Sequence, residues 1–125
     1  ISNKGGYISG FDLGSDANSF NKLLNSVYPK AVSQISENKV LYTGMNIKIT
    51  SDITSNYTVV IYGDNNGDGV IDILDLLKIQ KHLLGVNKLK NAYLNASDIN
   101  KDGNVDIIDL LKIQKHILNV SKIEQ

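Results

Sequence analysis

The chain has 125 residues, 42% hydrophobic and 21% charged, a balance that fits one ordinary soluble domain or two small ones. Its thirteen basic residues are all Lys, and thirteen acidic residues bring the net charge to zero, which leaves a nucleic-acid partner without electrostatic support. The lack of Cys excludes a disulfide framework and thiolate metal sites, and no apolar run approaches the ~20 residues of a membrane span, so no membrane insertion is expected.

In chain order, Tyr7–Leu13 is a short apolar alternation between Gly5-Gly6 and Gly14, and reads as a strand. Ser15 and Asp16 are N-cap candidates for a helix in which Phe20, Leu23, Leu24 and Val27 recur at helical spacing, ended by Pro29. Four runs rich in β-branched or aromatic residues follow: AVSQIS, KVLYT, MNIKIT and YTVVIY, with turns at Thr43-Gly44 and Ser51–Asn56. Residues 1–62 are therefore expected to form a small α+β module, a mostly antiparallel sheet with one helix. About 60 residues bury only a modest core, so this module is expected to lean on its neighbour. No Pro- or Ser-rich linker separates the halves, which favours a fixed pair of modules. The start at Ile1 and the lack of a signal peptide suggest a piece of a longer protein.

The second half is a duplication. Shifted by 34 residues (98 − 64), DNNGDGVIDILDLLKIQKHLLGVNK aligns with DINKDGNVDIIDLLKIQKHILNVSK, and seventeen of 25 positions are identical. Eight of the thirteen acidic residues fall in its two loops, so charge is concentrated where a hard cation would neutralise it. Calcium takes six to eight oxygen ligands, and a 12-residue EF-hand-type loop supplies them from positions 1, 3, 5, 7, 9 and 12. These are Asp64, Asn66, Asp68, the carbonyl of Val70, Asp72 and Asp75 in the first loop. In the second they are Asp98, Asn100, Asp102, the carbonyl of Asn104, Asp106 and Asp109. Gly69 and Gly103 stand at position 6, where the turn needs a positive φ, and the apolar Ile71 and Val105 stand at position 8. A pair of solvated Asx-rich turns is the competing reading; two such loops in register, each running into the same amphipathic helix, favour two Ca2+ ions. Without an ion, four crowded carboxylates should hold each loop open, so binding free energy becomes folding free energy.

Two departures separate these loops from a signalling EF-hand. Position 12 is Asp where sensors use Glu. The first loop follows a strand and the second follows only Asn87–Asn95, at most a short helix, whereas a hinge needs a helix on each side. Half an EF-hand, repeated, with the run D-x-N-x-D-G-x-(I/V)-D-x-x-D-L-L-K-I-Q-K-H, resembles the dockerin modules of bacterial cellulosomes and related surface assemblies. The resemblance covers about residues 63–122. It implies an all-α dockerin of two calcium loop–helix repeats over 63–125, non-catalytic, which binds a cohesin module on a scaffold or cell-surface protein. It further implies an extracellular setting and a parent protein, enzyme or scaffold, concerned with polysaccharide degradation. Residues 1–62 are similar to the X modules that precede some dockerins.

At about 100° per residue, Leu76, Ile79 and Leu83 form one helix stripe and Ile73, Leu77 and Leu84 an adjacent one. The second repeat gives Leu110, Ile113 and Ile117, then Ile107, Leu111 and Leu118. One stripe is needed to pack the helices together; the other is either a partner patch or core covered by the N-terminal module. The family's recognition positions map onto Ile73, Leu74, Gln80, Lys81 and Gly85, and onto Ile107, Ile108, Gln114, Lys115 and Asn119. Many dockerins carry small polar residues at the first two of these positions, so the aliphatics here imply a more hydrophobic interface. His82 and His116 read as residues of a solvated helix face, and most of the six Tyr as strand packing. No catalytic cluster precedes Tyr62. A calcium buffer or sensor is the alternative function, disfavoured by the missing leading helix and the second stripe.

Overall fold

The computed structural model describes residues 2–27, 31–35, 40–50 and 54–125. The fold is α+β. Strand β1 (Ser2–Lys4) turns through Gly5-Gly6 into β2 (Tyr7–Ser9), followed by α1 (Ala17–Val27), β3 (Val32–Ile35), β4 (Asn46–Thr50) and β5 (Thr54–Val59). The five strands form one sheet in the order β1-β2-β5-β4-β3. Pairing is antiparallel except between β2 and β5, where Tyr7 lies opposite Thr58 and Ile8 opposite Val59. The remaining elements are helices: α2 (Ile73–Leu83), α3 (Asn91–Ser97) and α4 (Ile107–Ile117).

Helix α1 starts where the sequence predicts, with the Asp16 carboxylate accepting the Ser19 N–H at 2.9 Å. Phe20 and Leu24 turn its apolar face onto the sheet, and the Phe20 ring meets Phe11 edge-on at 5.4 Å between centroids. Ile8, Leu41, Met45, Ile47, Val59 and Ile61 complete this core. The expected stop at Pro29 lies outside the described residues.

Three of the strand expectations shift. The Tyr7–Leu13 strand ends at Ser9. The described part of KVLYT, residues 40–43, is not a strand: among the described residues its ladder contact is an isolated bridge from Val40 to Asp16. Its backbone donors go elsewhere, Leu41 N–H to the Ser15 carbonyl and Thr43 N–H to the Asp64 carboxylate. YTVVIY is displaced: β5 begins at Thr54, inside the predicted turn, because Thr54–Asn56 pair with Lys48–Thr50. It stops at Val59, since Ile61 N–H bonds to the Thr43 hydroxyl and Gly63 N–H to the Ala96 carbonyl.

A second core joins the repeats. Ile71, Ile79, Ile99 and Ile113 are buried together, with Leu76, Val105, Leu110, Ile117 and Ile123 packed against them. Val60, Ala92 and Ala96 form a third cluster with Tyr7 and Tyr62, so α3 ties the sheet to the helical half.

Candidate metal loops and docking face

Each long helix begins inside its acidic loop. Asp72 caps α2, its Oδ1 accepting the Leu74 N–H at 3.0 Å, while the Asp75 Oδ2 accepts the Asp72 N–H at 2.9 Å. Asp106 and Asp109 repeat this reciprocal box on α4, with the Ile108 N–H at 3.1 Å and the Asp106 N–H at 2.9 Å. Position 9 of each loop is therefore turned toward the helix N-terminus, and position 12 points back into the loop.

The side chains that converge are Asp64, Asp68 and Asp75 in the first loop, and Asp98, Asp102 and Asp109 in the second. Within each triad one carboxylate oxygen per residue lies within 4.8 Å of the others. Asn66 and Asn100 brace the triads by donating to Asp68 and Asp102 at 3.2 and 3.0 Å. Val70 and Asn104 donate their own N–H groups to the same carboxylates. Gly69 and Gly103 take φ of 82° and 90°, as position 6 requires.

The electrostatics are those of crowded, partly buried acids. Burial, and then the charges of Asp64 and Asp68, push the Asp75 carboxyl up to about 7 against the backbone donors that favour its ionised form. Burial likewise raises Asp64 and Asp109. Asp102 is exposed and lies below the usual carboxylate range, chiefly through the Asn104 N–H. A donor set of carboxylate and amide oxygens, with neighbouring charges that help raise Asp64, Asp75 and Asp109, fits a hard divalent cation and offers nothing to a soft one.

On each helix the predicted docking residues share one face by their spacing. Ile73, Leu74, Leu77, Gln80, Lys81, Leu84 and Gly85 are all exposed, as are Ile107, Ile108, Leu111, Gln114, Lys115, Leu118 and Asn119. Ile73 and Ile107 are 54% and 59% exposed, whereas Ile79 and Ile113 on the other stripe are fully buried. The N-terminal sheet does not cover this face. Gly85 and Asn119, at φ of 73° and 59°, close α2 and α4 at equivalent positions. Leu83, placed by its spacing on the packing stripe, is 38% exposed at the end of α2.

The histidines correct the sequence reading. His116 is buried and His82 half-buried, and each uses Nδ1 to accept a backbone N–H seven residues on, from Ile123 at 3.0 Å and Leu89 at 2.9 Å. Each ring ties a helix to the segment that returns past it, and burial lowers both imidazole pKa values. Two further residues carried no motif. Thr43 donates its N–H to Asp64, and Asn65 donates from Nδ2 to the Asp75 carbonyl at 2.9 Å while its buried Oδ1 has no partner. The signal for Asn65 was present in the repeat alignment, where it replaces the core residue Ile99.

The two acidic loops, each running into a capped helix with an uncovered aliphatic face, define a class, a duplicated loop–helix repeat of the half EF-hand kind. Residues 62–118 match the family model of the dockerin type I domain, and this segment is a dockerin module. No curated protein matches the chain. Among solved structures, the chain is similar to one from Acetivibrio cellulolyticus, the third cohesin ScaC in complex with the ScaB dockerin carrying a mutation in its N-terminal helix and displaying a type I interaction. The identity is 24% over 52% of this chain and 92% of that chain, with a TM-score of 0.49. Among the described residues, no helix is long and apolar enough to cross a membrane.

Proposed function

We propose that residues 63–125 are a calcium-dependent docking module that binds a cohesin on a scaffold or cell-surface protein, and that residues 1–62 are an X-module-like unit packed against it. The observation that carries this reading is the pair of exposed, nearly identical aliphatic faces on α2 and α4 within a dockerin segment. An apolar surface of that kind is what a protein partner covers. A cohesin is the partner that membership of the dockerin family suggests. The module then attaches its parent, a secreted enzyme or scaffold protein, to an extracellular cellulosome-like or cell-surface complex.

Each loop is proposed to hold one Ca2+ through Asp64, Asn66, Asp68, the Val70 carbonyl, Asp72 and Asp75, or through Asp98, Asn100, Asp102, the Asn104 carbonyl, Asp106 and Asp109. Asp72 and Asp106, each with one oxygen committed to a helix cap, suit the indirect ligation common at position 9. The bound ion supplies positive charge that offsets the crowded carboxylates. The chain's own contribution is geometric. The capping boxes start α2 and α4 at fixed points in the loops, and Ile79 and Ile113 hold the helices together. Ile73, Leu74, Leu77 and Leu84 meet the partner, as do Ile107, Ile108, Leu111 and Leu118, with Gln80, Lys81, Gln114 and Lys115 at the rim.

Because the two faces carry nearly the same residues, a half-turn about the pseudo-twofold axis presents nearly the same surface. Binding in two orientations follows. Titration of a cohesin with Ile73→Asp/Leu74→Asp alone is expected to change affinity severalfold at most, while adding Ile107→Asp/Ile108→Asp abolishes it. Complete loss in the first variant would assign a single orientation, and unchanged binding in the fourfold variant would remove the faces from the interface.

A further inference from the structure

The two loops are near-copies in sequence, but they stand in different surroundings. Asp64 is fully buried, and its carboxylate accepts four backbone N–H groups: Gly67 at 3.2 Å, Asp68 at 3.1 Å, Gly69 at 3.0 Å and, from outside the loop, Thr43 at 3.0 Å. Its counterpart Asp98 is partly exposed and accepts from Asp102 and Gly103, both within its own loop. Thr43 is itself pinned. Its hydroxyl bridges the Ile61 N–H and carbonyl at 3.0 and 3.1 Å, where the chain leaves β5.

The sequence differences between the repeats follow this contact. Position 4 is Gly67 in the first loop and Lys101 in the second. A Cβ on Gly67 would lie 2.6 Å from the Thr43 carbonyl oxygen and 3.1 Å from Tyr93 Cε1, so no side chain fits. Lys101 takes φ of 60° with a full side chain, so the loop's own backbone tolerates one there. Gly69 lies against the Leu41 carbonyl, with its Cβ position 3.4 Å away, whereas the equivalent point at Gly103 is open. Gly67 is thus required by the neighbouring Leu41–Gly44 segment and not by the loop.

We propose that the Leu41–Gly44 segment completes the first cation site, with Thr43 as a positioning residue whose N–H fixes the Asp64 carboxylate, so that cation binding at 64–75 and seating of the N-terminal module are one coupled equilibrium. The loop at 98–109 touches residues 1–62 through Lys101 over the Tyr62 ring, but among the described residues its Asp98 carboxylate takes no donor from outside the loop, so its affinity does not depend on the seating of Thr43. This rests on the calcium reading given above. Coupling runs in both directions by linkage: whatever unseats Thr43 weakens the first site, and filling the first site protects the Thr43 amide. A hydrogen bond to an ionised group contributes on the order of tenfold or more in an equilibrium constant.

The test is a calcium titration of the full chain followed by amide NMR, which reads the loops separately through Gly69 and Gly103. In the unaltered chain, filling the first loop is expected to slow exchange of the Thr43 amide by about tenfold or more. Gly67→Lys gives the first loop the residue that the second already carries. It is expected to weaken the first site by about tenfold and leave the second unchanged. A Thr43 amide exchanging at one rate with and without calcium while both loops fill overturns the coupling and leaves the calcium reading standing. Equal affinity of the first loop before and after Gly67→Lys does the same. No uptake at either loop overturns both. The exchange measurement needs no variant, so a misfolded Gly67→Lys chain does not compromise it.

Discussion

At the scale of single residues, the acids and the histidines set the pH behaviour. Folding without a cation raises the Asp75 pKa to about 7 from an ordinary 3.8, so the folded chain keeps a proton that the unfolded chain releases. The sign follows: this contribution to stability is full in acid and is lost as pH rises from 3.8 to about 7. A cation reverses the effect by favouring the ionised form. In chelator, carboxyl NMR should show Asp75 titrating near 7, and calcium uptake near pH 6 should release a proton that uptake near pH 8.5 does not. An Asp75 midpoint in the usual carboxylate range would contradict this. His116 acts in the opposite direction. Its pKa is lowered by burial, so its contribution is present above the unfolded value of 6.5 and is lost as pH falls through the lower folded value. His116→Leu leaves the Ile123 N–H without an acceptor and should cost about 1–3 kcal/mol in denaturant unfolding. A variant as stable as the parent would show the bond to be dispensable.

At the scale of elements, the helices carry a buried packing face, centred on Ile79 and Ile113, and an exposed aliphatic face proposed for docking. Ile79→Ala or Ile113→Ala removes a fully buried side chain from the shared core and should cost about 2–5 kcal/mol. Leu77→Ala or Leu111→Ala acts on the uncovered face and should change stability by about 0.5 kcal/mol or less, while weakening the complex with a cohesin. Paired thermal melts and binding titrations check both; equal destabilisation by the two kinds of variant would refute the division. This division was legible in the sequence because Ile79 and Ile113 share a phase on the helix that Ile73 and Ile107 do not. The acidic clusters were legible because their spacing is local: the carboxylates of Asp64, Asp68 and Asp75 converge within one loop. The strands were less so. KVLYT has a strand's composition, but the donors of Leu41 and Thr43 find partners outside the sheet. SNK has no strand signal, yet pairs with Tyr7–Ser9 across Gly5-Gly6. The histidines were misread for a related reason, since helical phase says nothing about the returning segment that carries Ile123 and Leu89.

At the scale of the whole molecule, a short sheet and a duplicated loop–helix unit lean on each other through α3, Thr43 and the C-terminal Gln125. The Gln125 amide pairs with both the N–H and the carbonyl of Tyr62 at 2.8 Å, and Lys101 sits 4.6 Å over the Tyr62 ring. With no helix leading into the first loop, opening of a helix pair is not available to it. In the proposed function the loops serve as staples and the exposed faces of α2 and α4 meet the partner. Calorimetric titration of calcium into the metal-free chain, followed by a cohesin into the loaded and chelated chain, tests this most directly. Uptake of two ions and cohesin binding by the loaded form alone are the expected results. Unchanged cohesin affinity in chelator, or no calcium uptake, would contradict this reading.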